Sequence, residues 1–286
     1  MVPVLGGLPV RIVRGVTAAC LAAAVVLSVF DCAFAEPDAD DAEDNVASLD
    51  RFVVDQFSGE RARPDAAQFN RTTIDRDLAD HFLYFSGIDL WRNGGFMHGG
   101  LVWSPDGLDR PGFTFKLLAA GGRYRYMSGT VDTIGDQLLV SAMPGWRFKF
   151  ADLEIVVLGG IDVQNHRLDP DDPGHRLRGT HVGARGNVDI WYQPVESLMA
   201  TLSFSGSTLG GNVWSRGALG WRMSGLPWVG PEVVTYSDGK YWQYRFGAHV
   251  TTWRTGSFEW STGFGYVQDT DHRSGAYWRL GLISRQ

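Results

Sequence analysis

The chain has 286 residues, enough for one large β-domain or two domains of ordinary size. It has 26 basic and 32 acidic residues and a formal net charge of −6, which argues against nucleic-acid binding because that needs a basic face. Both cysteines, Cys20 and Cys32, lie near the N-terminus, so the rest of the chain has no thiol for a disulfide, a metal site or a nucleophile.

The first 35 residues predict a cleaved signal peptide. A basic start is followed by an apolar run over 16–30, and Ala33-Phe34-Ala35 gives the small-x-small cleavage pattern before Glu36. The apolar run of about 15 residues is shorter than the roughly 20 that a membrane-spanning helix needs. We therefore expect export and cleavage after Ala35. Cleavage removes two arginines, one aspartate and both cysteines, which leaves 24 basic and 31 acidic residues and a net charge of −7.

Residues 36–80 have a different character. The stretch 36–44 contains six acidic residues and no basic one. Self-repulsion and the lack of apolar area predict a disordered segment there. The remainder, to residue 80, is mixed and predicts no firm element.

From residue 81 to residue 286 the sequence predicts one all-β domain. Glycines and aromatics become frequent, and turn signals separate runs of strand-forming residues. The predicted strands are 82–92, 95–104, 112–127, 136–148, 152–166, 177–192, 198–208, 212–224, 228–237, 240–254, 257–268 and 274–284. An even number of long strands is typical of an antiparallel up-and-down barrel in the outer membrane, where each span needs about 9 to 11 residues.

Polar and apolar side chains alternate along these strands. Trp242, Tyr244 and Phe246 share one face of their strand, and Gln243 and Arg245 share the other. An arginine on the lipid face costs roughly 2–4 kcal/mol at the membrane midplane, so we expect the charged faces to line the lumen. A soluble β-sandwich also alternates, with its apolar face inward, and is the alternative.

The inward charges are expected to form a network that leaves the lumen narrow or plugged. Its predicted members are Arg185, Asp189, Arg216, Arg222, Arg245, Glu259 and Arg279. Aromatics near strand ends favour girdles at the two membrane surfaces. The candidates for the girdles are Trp91, Trp103, Trp146, Trp191, Trp228, Trp253 and Tyr277. Pro144 and Pro231 fall inside predicted strands, where each requires a bulge or a different strand boundary.

Several strings of residues, in order over about 82–286, resemble the cellulose biosynthesis proteins of the BcsS type. They are FSGIDLWRNGGF at 85–96, HGG at 98–100, WSP at 103–105, GLDR at 107–110, DDPG at 171–174, RLRGTH at 176–181, WYQP at 191–194, GAHVT at 247–251, RTG at 254–256, FEW at 258–260 and DHRSGAY at 271–277. The resemblance implies a part in bacterial cellulose production and assigns no catalytic residues. The expected partners are outer-membrane lipid and cellulose or other components of cellulose secretion.

Histidines are the candidate catalytic or metal-binding residues. His166, His175 and His181 flank the acidic loop 169–172, but they lack the regular spacing of a structural metal site, and calcium on the carboxylates is the alternative. His181 has no nucleophile beside it. His249 has only Thr251, a poor nucleophile without a placed base. We expect no catalytic residue, metal or cofactor.

Stacking on sugar rings is a further role open to tryptophan. Trp214 and Trp253 lie on the register of the charged faces and are the candidates for contact with glucan. The sequence thus predicts a non-catalytic accessory protein of cellulose synthesis or secretion in the outer membrane. The alternatives are an outer-membrane hydrolase acting on lipid or glucan, and a soluble periplasmic glucan-binding β-protein.

Overall fold

The computed structural model describes residues 80–223, 225–238, 241–270 and 273–286. The predicted signal peptide, and all of the predicted acidic segment except residue 80, lie outside the described residues. The strands are β1 (Phe82–Trp91), β2 (Gly94–Trp103), β3 (Gly112–Ser128), β4 (Val131–Phe150), β5 (Leu153–Asp169), β6 (Gly179–Val195), β7 (Leu198–Ser207), β8 (Val213–Trp221), β9 (Trp228–Ser237), β10 (Trp242–Thr255), β11 (Phe258–Asp269) and β12 (Ser274–Arg285). Within this part of the chain, no helix is long and apolar enough to cross a membrane.

The twelve strands form a closed barrel in which each strand pairs with its neighbours in the sequence. Antiparallel pairing of β1 with β12, from Leu83 opposite Arg285 to Trp91 opposite Tyr277, closes it. The predicted all-β class, up-and-down topology and strand number are therefore confirmed. The largest error in a boundary is at β4, which begins at Val131 and not at residue 136.

The connections divide between the two ends of the barrel. The end that carries residues 82 and 285, called the terminal end, has the connections 104–111, 151–152, 196–197, 222–227 and 256–257. The opposite end has 92–93, 129–130, 170–178, 208–212, 238–241 and 270–273. In the two-residue connection 256–257, Gly256 has a φ of 62°, which glycine adopts without steric cost.

The interior of the barrel is closely packed with charged, polar and apolar side chains. Lys116, Arg185, Arg216 and Arg245 point inward, and each is at most 2% exposed. Exposed large apolar side chains lie on the outside of all strands except β7; Phe246, for example, is 55% exposed. The charged faces therefore line the lumen as expected, which is the reverse of a soluble sandwich.

Both prolines lie within strands without a change of register. Pro144 pairs with Phe115 on β3, and Pro231 pairs with Ala248 on β10. On its other side each interrupts the ladder of hydrogen bonds, because proline has no N–H to donate. Neither the bulge nor the different boundary that the sequence suggested is needed.

Only part of the predicted aromatic girdle lies on the outside. Trp103, Trp146 and Trp253 are exposed at the terminal end, where Phe148, Phe150, Trp221 and Phe258 accompany them. The prediction was wrong for Trp91, Trp228 and Tyr277, which are buried. Trp191 packs edge-on against Trp228, with 6.3 Å between ring centroids. The face of a strand residue is set by alternation, and nearness to a strand end does not override it.

Candidate functional site

Glu232 on β9 holds together a cluster of charged side chains in the lumen. Its carboxylate accepts hydrogen bonds from Arg216 at 2.9 Å, from Arg279 at 3.1 Å and from the Tyr277 hydroxyl at 2.7 Å. A side chain at position 263 on β11 would collide with this cluster, because a Cβ there would stand 2.2 Å from Glu232 Oε1. Gly263 therefore makes room for the ion pairs.

Arg245 on β10 forms a second cluster. Its guanidinium donates to both carboxylate oxygens of Asp89 at 2.8 Å and to Gln243 at 2.9 Å. The rings of Trp91 and Tyr277 pack on it, with centroids 4.9 and 5.5 Å from Cζ. Such fully buried pairs need good geometry to offset desolvation, and this one has two bonds and two aromatic contacts.

Arg185 and Asp189, both on β6, have different hydrogen-bond partners. Arg185 donates to Asp162 at 2.8 Å, and Asp162 also accepts from the Ser207 hydroxyl at 2.6 Å. Asp189 accepts from the Asn187 amide at 3.3 Å, and Lys116 donates to that amide oxygen at 3.1 Å.

The remaining predicted members of the network lie at the terminal end. Glu259 pairs with Arg254 at 3.4 Å, apart from the other clusters. Arg222 follows the last residue of β8, and its Cζ lies 4.3 Å from the ring centroid of Trp228. Burial and the neighbouring Arg254 lower the pKa of Arg222 from its usual value.

Of the predicted members, Arg216 and Arg279 share the carboxylate of Glu232, a residue that the sequence did not single out, and Tyr277 connects this cluster to Arg245. The acids Asp89, Asp162 and Glu232 were missed as partners. Asp162 was on a recognisable polar face, whereas Glu232 follows Pro231, which obscured the alternation on β9. The pairs of Arg279 with Glu232 and of Arg245 with Asp89 join strands that are not consecutive in the sequence, and no local pattern contains such pairs.

Two histidines lie in a hydrogen-bonded series near the opposite end. His175 Nδ1 accepts from the Leu177 N–H at 3.1 Å, so in the neutral ring the proton is on Nε2, which faces the Tyr124 hydroxyl at 3.5 Å. That hydroxyl then donates to His166 Nδ1 at 3.2 Å, and His166 Nε2 donates to Gln164 at 3.2 Å. The series fixes the loop 170–178 onto the lumen.

Asp172 gives this loop a second attachment, because its carboxylate accepts from the Tyr126 hydroxyl at 3.0 Å. Partial burial raises the pKa of Asp172, but hydrogen bonds from Ser128, Tyr126 and the Gly174 N–H outweigh it and hold the pKa below its usual value. No group of three or more histidines, cysteines or carboxylates in the described residues is arranged to hold a metal ion.

His181 and His249, the histidines weighed as catalytic bases, have different surroundings. His181 Nε2 lies 2.9 Å from the Arg178 carbonyl oxygen. His249 is buried in the lumen, 2.9 Å from Thr251 Oγ1 and 3.0 Å from the Leu219 carbonyl. Leu219 lies where Pro231 interrupts the ladder of hydrogen bonds, so its carbonyl has no donor on β9. The imidazole of His249 supplies the missing hydrogen bond.

The two tryptophans considered for sugar stacking lie on opposite faces of the barrel wall. Trp214 is inward and only 3% exposed. Trp253 is 57% exposed on the outside, although simple alternation placed it on the charged face. The difference arises from a bulge between Thr251 and Trp253, which shifts the register of β10 against β11.

An apolar outer surface around a packed, charged interior defines a closed β-barrel of the membrane-spanning type. The family model described as cellulose biosynthesis protein BcsS matches residues 83–286. The chain belongs to this family, and with it to the proteins associated with cellulose biosynthesis.

Comparison with solved structures found barrels of low similarity. The KdgM porin aligns at 10% identity and a TM-score of 0.38, over 71% of this chain and 98% of its own. LpxR from Salmonella typhimurium aligns at 12% and 0.39, over 71% and 99%. The transport unit of the autotransporter AIDA-I from Escherichia coli aligns at 11% and 0.37, over 76% and 93%. No curated protein matched the chain.

Proposed function

We propose that this protein is a non-catalytic accessory of cellulose biosynthesis or secretion that resides in the outer membrane. The observation that carries the proposal is the combination of an apolar exterior with a closely packed lumen that contains buried ion pairs. Family membership supplies the pathway. Outer-membrane lipid is then the first partner, and cellulose or another component of its secretion is the second.

The packed lumen argues against a role as the conduit for the polysaccharide. A channel wide enough for a glucan would leave the inward arginines accessible to water, whereas Arg185, Arg216 and Arg245 are each at most 2% exposed. The connection 104–111 also reaches over the terminal mouth, where Arg147 donates to the Leu108 carbonyl and Leu108 is fully buried. A role in assembly or in organising the product at the surface fits this structure better.

The hydrogen bonding of the histidines favours a role without catalysis. A serine or threonine nucleophile needs a base whose acceptor nitrogen faces it at a site open to substrate. His249 and Thr251 form such a pair only in the buried lumen, and His249 also bonds the Leu219 carbonyl.

Deletion of the gene tests the role. Cellulose at the cell surface should fall or change its organisation, while cellulose synthase activity in isolated inner membranes stays intact. Loss of that synthase activity would contradict the proposal, as would recovery of the folded protein in the soluble periplasmic fraction.

Point variants test the absence of catalysis. His181→Ala and His249→Ala should leave cellulose output per folded barrel close to normal, with folding checked by the heat-dependent shift in gel mobility. If one of them abolished output from a folded barrel, a hydrolase acting on lipid or glucan would replace this proposal.

A further inference from the structure

The terminal end of the barrel has a pocket of about 450 Å³. It lies between the ends of β10, β11 and β12 and the connection 104–111, which contributes Asp109. Glu259 and Ile283, both buried, are among its lining residues, and the pocket is partly open to solvent. A volume of this size lies within the roughly 300–1,000 Å³ range of small-molecule sites.

The residues that line the pocket carry charges of both signs, and their net charge is close to zero. Three acids, Asp80, Asp109 and Glu259, face two cations, Arg254 and Arg285, and two serines add hydroxyl groups. The three carboxylates would repel a strong anion. An acyl chain would remove water from all five charged groups, at a high cost in free energy. A neutral ligand rich in hydroxyl groups can donate to the carboxylates and accept from the guanidinium groups.

A strained residue builds the charged part of this pocket. Thr252 has a φ of 65°, a conformation that a β-branched residue rarely adopts, and it forms the bulge in β10. Without the extra residue, alternation would turn Trp253 inward and Arg254 outward. The bulge exchanges them, so that Arg254 stands opposite Glu259 in the register and pairs with it at 3.4 Å. Strain of this kind clusters at functional sites.

An aromatic ring stands at the rim. Phe258, 47% exposed, is among the lining residues and could present a ring face to a pyranose. We propose that this pocket binds a short stretch of neutral glucan chain at the terminal mouth of the barrel. The identity of that glucan as cellulose rests on the proposed function.

Cellohexaose is the probe for this site. The full-length mature barrel, purified in detergent, should bind it in isothermal titration calorimetry. Glu259→Gln and Arg254→Gln should each weaken binding about tenfold, which corresponds to about 1.4 kcal/mol. Ser257→Trp, a change in the exposed two-residue turn that leaves every ion pair intact, should block the pocket and abolish binding.

Asp132→Asn is the matched control, because it makes the same carboxylate-to-amide change in an exposed pair with Arg125 at the opposite end. Its affinity for cellohexaose should equal that of the wild type. The inference is overturned if the wild type does not bind cellohexaose, if Ser257→Trp binds it normally, or if an anionic oligogalacturonide binds equally well.

Different experiments would reject the proposed function and the proposed glucan binding in the pocket. Reduced surface cellulose on gene deletion, together with no binding of cellohexaose, would keep the accessory role and reject the pocket. Binding that is lost in Ser257→Trp, together with unchanged cellulose on deletion, would keep the pocket and reject the accessory role.

Discussion

Replacement of Glu232 by glutamine tests whether the ion pairs in the lumen stabilise the barrel. The carboxylate is fully buried and balances two guanidinium groups, those of Arg216 and Arg279. Glutamine keeps the volume but removes the charge, and its amide group would face N–H donors. Breaking a buried pair by removing one partner costs about 3–5 kcal/mol, so we expect a loss of that size in the free energy of unfolding.

The assay is equilibrium urea unfolding of the barrel in lipid vesicles, followed by tryptophan fluorescence. Asp136→Asn provides the control, since it removes the charge from an ion pair with Arg123 at 2.7 Å whose side chains are 48% and 67% exposed. Solvent screens that pair, and its loss should cost less than about 1 kcal/mol. The two variants differ chiefly in burial.

A second variant distinguishes two causes of the lost stability, which are the missing attraction and the charges left unpaired. In the double variant Glu232→Gln with Arg279→Gln, one of the two uncompensated cations is gone, so part of the stability should return. If Glu232→Gln unfolds at the urea concentration of Asp136→Asn, burial does not govern these pairs and the reasoning fails. Cellulose output per folded barrel should not change in any of these variants, because the cluster has a structural role.

Four further predictions concern the wall, the bulge and the N-terminus. Phe246→Arg should lower the free energy of unfolding by about 2–4 kcal/mol, because it places an arginine on the lipid face. Arg245→Gln should lower it by about 3–5 kcal/mol, because it breaks the buried ion pair with Asp89, and urea unfolding compares the two variants. Cysteines placed singly over 242–249 should react with a membrane-restricted label at even positions, and uniform reaction with a water-soluble label would contradict a membrane barrel. Thr252→Gly should raise the unfolding free energy by about 1 kcal/mol by relieving the left-handed conformation, and a fall would show that no strain is stored there. Mass spectrometry of the exported protein should find Glu36 first.

Local pattern predicted the fold because barrel strands repeat one local rule. Each strand needs only alternation and a turn at its end, both visible in the sequence, as at Asn93-Gly94 and Thr255-Gly256. The error at β4 follows the same logic. Residues 131–135 read Val-Asp-Thr-Ile-Gly, too polar to stand out from a loop, and they become strand by pairing with the end of β3.

The partners in the lumen could not be predicted in this way. Arg245 meets Asp89 across 156 residues of sequence, since both point inward at the same level of the closed barrel. Alternation along its own strand determines whether a side chain points into the lumen or outward. The choice of partner depends on the stagger of all strands that lie between the two residues. It also depends on the path that the long side chains take across the lumen.

One misplaced residue shows how a single irregularity changes a functional assignment. Alternation along β10 holds as far as Thr251, and it predicted that Trp253 faces the lumen as a candidate for stacking on glucan. Threonine gives no warning of a bulge, because neither glycine nor proline marks position 252 and a φ of 65° is unfavourable there. The extra residue instead turns Trp253 toward the outside and brings Arg254 to Glu259. Contact between glucan and tryptophan stays a prediction, and the mixed-charge pocket at the terminal end is formed at the expense of backbone strain that neighbouring strands hold in place.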